Sequence, residues 1–181
     1  MIAVRMALWA AVLVAPAAHA QADTSNIPQP PSRELMRFQR FMGSYTLTGH
    51  YLGLDWRGSL DVRPAVKGWY VEWEINAHSG PIDRQLRMMV TWDPQLERYR
   101  MWRFETFLPE PVGRAEGVGR FEGDEFVQEW KTFTPDGAPG VLRNRFLMEG
   151  PNTLVIVSDG LPEDGKGDVV RIGVTTGKRR M

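Results

Sequence analysis

Histidines, paired carboxylates and soft sulfur ligands are the side chains of this chain that could do chemistry, and their spacing limits what that chemistry is. Beyond position 20 the only histidines are His50 and His78. A zinc site would need at least one carboxylate beside them, and Asp55, Glu72 or Asp83 could be brought near by a fold, but the spacing is not a metal signature. A polar surface or loop position is the favoured reading of each, and His78 precedes Ser79-Gly80, where a loop is expected. A serine-histidine-acid triad could be drawn from Ser79, His50 and Asp159, yet no G-x-S-x-G elbow is present to expose a nucleophile. Cysteine is absent, which removes thiol nucleophiles, iron-sulfur clusters and zinc-thiolate sites. Met88, Met89, Met101 and Met148 carry soft sulfur suited to copper(I). No repeated Met-x-x-Met or Met/His cluster supports that, and flexible core filler is the better account. The sequence implies no metal and no cofactor.

Carboxylates are more numerous. Glu72 and Glu74 project from the same face of one predicted strand, which suits shared proton chemistry if the pair is buried. Arg87 on the neighbouring strand offers cross-strand pairing on a solvated face, and that reading is favoured. If the polar face lined a lumen, then Glu72, Glu74, Arg87, Arg103 and Glu129 would form a charged interior around a polar ligand. Six tryptophans follow position 20: Trp56, Trp69, Trp73, Trp92, Trp102 and Trp130. Their indole N–H groups need partners when buried, so they suit either plain core packing or the wall of an apolar cavity with a few polar points.

The elements that would position these side chains are mostly strands. In LRMMVTWDPQLERYRMWRF, from Leu86 to Phe104, two strand-like runs flank the turn pair Asp93-Pro94. This reads as an antiparallel hairpin with Val90 opposite Trp102, Met88 opposite Phe104, Arg87 opposite Glu105 and Met89 opposite Arg103. Ahead of it, Leu35, Met36, Phe38, Phe41 and Met42 recur at helical spacing, with Ser32 to cap the start and Gly43 to end it. After Gly43 the chain alternates in short runs between turn residues, with strands predicted at Tyr45 to Leu52, Trp56 to Val62 and Trp69 to Ala77 before the hairpin. A Pro-rich connection at Pro109 and Pro111 leads to Arg114 to Phe121, Glu125 to Phe133, Val141 to Leu147, Thr153 to Ser158 and Val169 to Thr176. The loops fall at His78 to Asp83, Asp136 to Gly140 and Gly160 to Gly167. This pattern predicts an all-β fold: an antiparallel barrel of about ten strands with one short N-terminal helix bracing one end.

The first twenty residues read as a secretory signal: Arg5 before the apolar run Met6 to Val14, then Ala18-His19-Ala20 as a small-x-small cleavage site. The run is too short to span a bilayer, and no cysteine follows for lipid attachment. Export to a periplasm or beyond is expected, with the mature chain starting at Gln21, a Pro-rich linker over 21–32 and a single domain over 33–181. The whole chain carries 22 basic and 22 acidic residues, so loss of Arg5 leaves the mature form near −1. Nothing in that balance favours capture of nucleic acid or an anionic membrane, and Lys178-Arg179-Arg180 reads as a solvated terminus.

The helix running into Phe41-Met42-Gly43-Ser44-Tyr45, the tryptophan-rich strand after it, Trp92-Asp93-Pro94 with Tyr99 and Trp102, and the closing run Arg171 to Lys178 together resemble the bacterial DUF1579 family of lipocalin-like (calycin) β-barrel proteins. The resemblance covers Leu35 to Arg179. It implies a lipocalin-like barrel with a helix near its start, and the family carries no settled activity or catalytic residues to transfer. The helix-glycine-aromatic opening is also similar to nitrobindin-like haem barrels, whose iron ligand is a histidine late in the chain. Here the last histidine is His78, so no haem is expected. The reading that results is non-catalytic binding of a small, partly apolar molecule. Trp69, Trp73, Trp92, Trp102 and Trp130 would form the wall, with Arg87 and Arg103 as anchors if the polar face is internal. Two alternatives stand beside it: a hydrolase or isomerase using a buried Glu72 or Glu74, and an interaction module, a homodimer included, whose barrel is filled by its own side chains.

Overall fold

The computed structural model describes residues 32–107, 111–133, 139–164 and 167–180. The expected signal peptide, nearly all of the linker, Pro109 and most of the Asp136 to Gly140 turn lie outside them. A single α-helical turn, α1 (Arg33–Met36), continues as a 3-10 helix, Arg37–Phe41. Ten strands follow: β1 (Gly43–Tyr51), β2 (Leu54–Ala65), β3 (Tyr70–Ser79), β4 (Ile82–Asp93), β5 (Arg98–Phe107), β6 (Pro111–Glu122), β7 (Glu125–Phe133), β8 (Pro139–Met148), β9 (Thr153–Pro162) and β10 (Val170–Arg179). Each pairs antiparallel with the next, and β10 returns to β1, so the sheet closes into a barrel without a free edge. The all-β antiparallel barrel expected from the alternation is what forms. Several strands run longer than predicted: His78 is in β3 rather than a loop, Pro111 opens β6, and Gly160 belongs to β9.

Ser32 caps α1 as expected, its Oγ accepting from the Leu35 amide at 3.2 Å. The change to 3-10 geometry has a reason in the side chains. Leu35, Phe38 and Phe41 are three apart, and a 3-10 helix stacks i and i+3 on one face. All three are buried while Met36 is 51% exposed. That face closes the end of the barrel where the β2–β3, β4–β5 and β6–β7 connections lie. Arg37 and Arg40 donate to the carbonyls of Gly123 and Asp124 at the β6–β7 turn. Arg179 donates to the Arg40 carbonyl, and Tyr99 Oη to that of Glu34. Beneath this plug the inward positions of the strands form one core in which Tyr45, Leu60, Trp73, Val90, Met101, Phe126 and Leu154 are almost fully buried.

The β4–β5 hairpin forms, with its register one residue from the expected one. Val90 pairs with Met101, Met88 with Arg103, Met89 with Trp102, Arg87 with Phe104 and Leu86 with Glu105. The turn decides this. Asp93 Oδ1 accepts from the amides of Gln95 and Leu96 at 2.9 and 3.2 Å, and Glu97 takes a positive φ of 49°, so Asp93 pairs with Arg98 around a loop of 94–97. Since faces alternate, one residue of slip exchanges them. Met101 and Arg103 point into the barrel, and Trp102 and Phe104 point out.

Two tyrosines tie this architecture to pH. Burial, joined by the nearby Glu34 carboxylate, raises the Tyr99 hydroxyl well above its ordinary range. Burial also raises Tyr51, against the opposing charge of Arg84. The unfolded chain therefore ionises these groups first, at pH ~10. The stability they contribute is complete below that pH and is lost as pH rises toward their folded values. In urea unfolding above about pH 9, Tyr99→Phe is expected to flatten the alkaline decline, and at neutral pH to cost about 1 kcal/mol for the lost hydrogen bond. An unchanged alkaline slope would contradict this assignment.

Candidate functional site: the barrel cavity

Inside the barrel, on the side away from the helical plug, lies a cavity walled by the inward faces of nearly every strand. The space open to the centres of water-sized molecules is about 80 Å³, above the ~10–15 Å³ needed to hold a water. Its deeper wall is apolar, with Trp73, Met88, Leu86, Ile75, Leu142 and Phe146 among its members. Toward the end where β1 turns into β2 and β3 into β4, the wall becomes polar: Tyr51, Arg57, Arg84 and Arg103 line it there. Gln128, Asn144 and Ser158 interrupt the far side.

The charged part is an ordered cluster. Arg84 Nε donates to Glu105 Oε1, and Arg103 Nε stands 3.3 Å from Glu105 Oε2. The side chains of Arg84, Arg103 and Glu105 are 17%, 14% and 9% exposed, so the cluster is largely withdrawn from water and only weakly screened. Each guanidinium also lies over a ring, Arg84 above Tyr51 and Arg103 above Trp130, both 4.9 Å from the centroid. On the far wall the Gln128 amide accepts from Trp130 Nε1 at 3.3 Å and donates to the Met88 sulfur at 3.3 Å. Ser158 donates to Asn144 Oδ1 at 2.7 Å. Trp73 is fully buried, and its indole N–H has no hydrogen-bond partner among the described residues.

The residues singled out from the sequence are divided by the wall. Trp73, Trp130 and Arg103 line the cavity. Trp92 packs against the core beside Tyr99, ring centroids 5.0 Å apart, in the plugged end. Trp69 precedes β3, half-buried, its carbonyl accepting from Thr91 Oγ1. Trp102 is on the outer surface near the Tyr70 ring, its N–H donating to Glu116. Arg87 is also outside, 3.0 Å from Glu72 and 3.6 Å from Glu74, and Arg63 bridges the same two carboxylates. Its hydrogen bond from Arg63 holds the Glu74 carboxyl below its ordinary range. Thus Glu72 and Glu74 belong to a surface arginine ladder, Glu129 pairs with Arg143 and Arg120 in another, and Arg103 alone of the five-residue charged interior faces inward. His50 meets Asp55 at an exposed site. Among the described residues no three His, Asp or Glu side chains are gathered as a metal would need, and no helix is long and apolar enough to cross a membrane.

Arg84, Glu105 and Tyr51 were missed by the residue patterns, and Trp56 was noted as a tryptophan but not assigned to the wall, though a signal existed. Read at every second position, β4 runs Val90, Met88, Leu86, Arg84 and β5 runs Tyr99, Met101, Arg103, Glu105. Each inner face changes from apolar to charged at the same end. A search against models of protein families and a search of curated proteins find no match to this chain.

Proposed function

We propose that this chain is a binding barrel that takes a small, partly apolar molecule into the cavity between the helical plug and the arginine-lined end, without chemically changing it. The observation that carries this reading is the cavity itself: an apolar wall interrupted by a few ordered polar groups inside a closed barrel, the composition of a small-molecule site. The carboxylate pair that an acid-base enzyme would have used is on the surface among arginines, which favours binding over that chemistry. The signal-like segment over 1–20 supports export to the periplasm or beyond, and the motifs from Leu35 to Arg179 support membership of the lipocalin-like DUF1579 family.

Octanol, an uncharged amphiphile, tests the reading. Titration calorimetry is expected to detect saturable binding at one site. Ile156→Trp places an indole where a cavity-lining isoleucine stands, and it is expected to reduce octanol affinity at least about tenfold, because the filled volume no longer accepts the chain. Equal binding by Ile156→Trp and the unsubstituted protein would move the site out of the barrel.

A further inference from the structure

The same cavity carries information about the charge of what enters it, an inference that rests on the binding reading above. Among the described residues Arg57, Arg84 and Arg103 line the cavity and no aspartate or glutamate does. Among the described residues Glu105 is the carboxylate ion-paired with that lining, accepting from Arg84 Nε and lying 3.3 Å from Arg103 Nε. Two guanidiniums against one carboxylate leave a surplus positive charge in a site largely shielded from water, where an unmatched charge is costly and an incoming anion is correspondingly favoured. Glu105 also fixes how the arginines are presented. With Nε 3.3 Å from Glu105 Oε2 and Cζ 4.9 Å from the centroid of the Trp130 ring, the terminal nitrogens of Arg103 have no protein partner among the described residues, and they supply the fork that matches a carboxylate.

A second observation points the same way. The Trp73 indole N–H is fully buried, belongs to the cavity wall and has no partner among the described residues. The Gln128 amide donates only to a thioether, a weak acceptor. Spare donors in the wall favour acceptor atoms on its ligand.

We propose that the cavity binds a small carboxylate-bearing amphiphile, its anionic head held by Arg84 and Arg103 at the polar end and its apolar body lying along Trp73, Met88, Leu142 and Phe146. The arginines are binding residues; Glu105 is a positioning residue that aims them.

The test compares octanoate, octanol and octylammonium by titration calorimetry at fixed ionic strength, with acetate as a competitor. Octanoate is expected to bind at least about tenfold more tightly than octanol, the scale of a charge-assisted hydrogen bond. Octylammonium is expected to bind more weakly than either, and acetate at equal concentration to leave octanoate bound. Arg103→Met leaves Arg84 and Glu105 as a neutral pair, so the fold is retained, and the octanoate-over-octanol ratio is expected to collapse to about twofold or less. Arg103→Lys keeps the charge and is expected to restore part of the ratio. Glu105→Gln removes the competing negative charge and is expected to raise octanoate affinity relative to octanol. Equal affinities for octanoate and octanol would overturn the anion assignment while leaving the binding reading intact. Displacement of octanoate by acetate would reduce the site to a bare anion contact. Absence of binding by all three amphiphiles would instead sink the binding reading on which the inference stands.

Discussion

Replacement of Phe38 by alanine is expected to destabilise the fold by about 3–5 kcal/mol, the range for truncating a buried aromatic ring. Phe38 is fully buried on the 3-10 helix. Its ring centroid lies 4.6 Å from that of Phe126, 5.1 Å from Tyr99, 5.2 Å from Phe121 and 6.4 Å from Trp73. One side chain of the plug thus touches rings from β3, β5, β6 and β7 at once. These neighbours are themselves aromatic and held by their strands, so they cannot collapse into the vacated volume, and the cavity cost remains. Against a total stability of about 5–15 kcal/mol for a domain, a thermal midpoint lower by roughly 10 °C is expected in a calorimetric scan. Met36→Ala, two residues away and 51% exposed, is expected to stay within about 0.5 kcal/mol. Similar losses for the two variants would show that the helix does not act as a plug.

The second large effect is expected at Gly58 in β2. It pairs with Leu47 on one side and Ala77 on the other, and a Cβ there would sit 2.1 Å from the Asn76 carbonyl oxygen and 2.6 Å from the Ala77 Cα. Both atoms are backbone, so no rotamer change can relieve the contact and β2 must move away from β3. Gly58→Ala is expected to cost about 3 kcal/mol, at the upper end for overpacking, and to weaken octanol binding, because Trp56 and Ala77 in the cavity wall move with their strands. Gly160→Ala is the comparison. Its nearest obstacle is the Cδ1 of Ile172 at 3.0 Å, the end of a side chain that can turn, and a loss below about 1 kcal/mol is expected. Urea unfolding of both variants separates the cases; equal losses would mean that β2 and β3 are not held as closely as the barrel requires.

The barrel was legible because period-two alternation and turn residues are local properties of the chain. Val71, Trp73 and Ile75 can be assigned to one face without knowing what they touch. The plug was legible as a helix, although its 3-10 continuation depends on stacking Leu35, Phe38 and Phe41 against a surface that only the closed barrel supplies. The site was harder. Whether Trp102 or Met101 faces the lumen depends on the Asp93 side chain anchoring the turn amides and on Glu97 adopting a positive φ, and the letters Asp93-Pro94 mark a turn without fixing its length. That single residue of register moved Trp102 to the surface and brought Glu105 inside. Trp73 and Trp130 were found because tryptophan on an apolar face suggests a wall. Arg84 and Glu105 were not, because an arginine and a glutamate near strand ends look like solvated residues until ring closure places them beside each other.

Native mass spectrometry of the protein isolated from its own cells, paired with tryptophan emission before and after gentle denaturation and refolding, tests the central claim most directly. A co-purified small mass that is lost on refolding, with a shift in the emission of the tryptophans that include the cavity-lining Trp73 and Trp130, is the predicted result. A bare chain mass with emission unchanged by refolding and by added octanol would contradict it, and would identify the barrel as a scaffold filled by its own side chains.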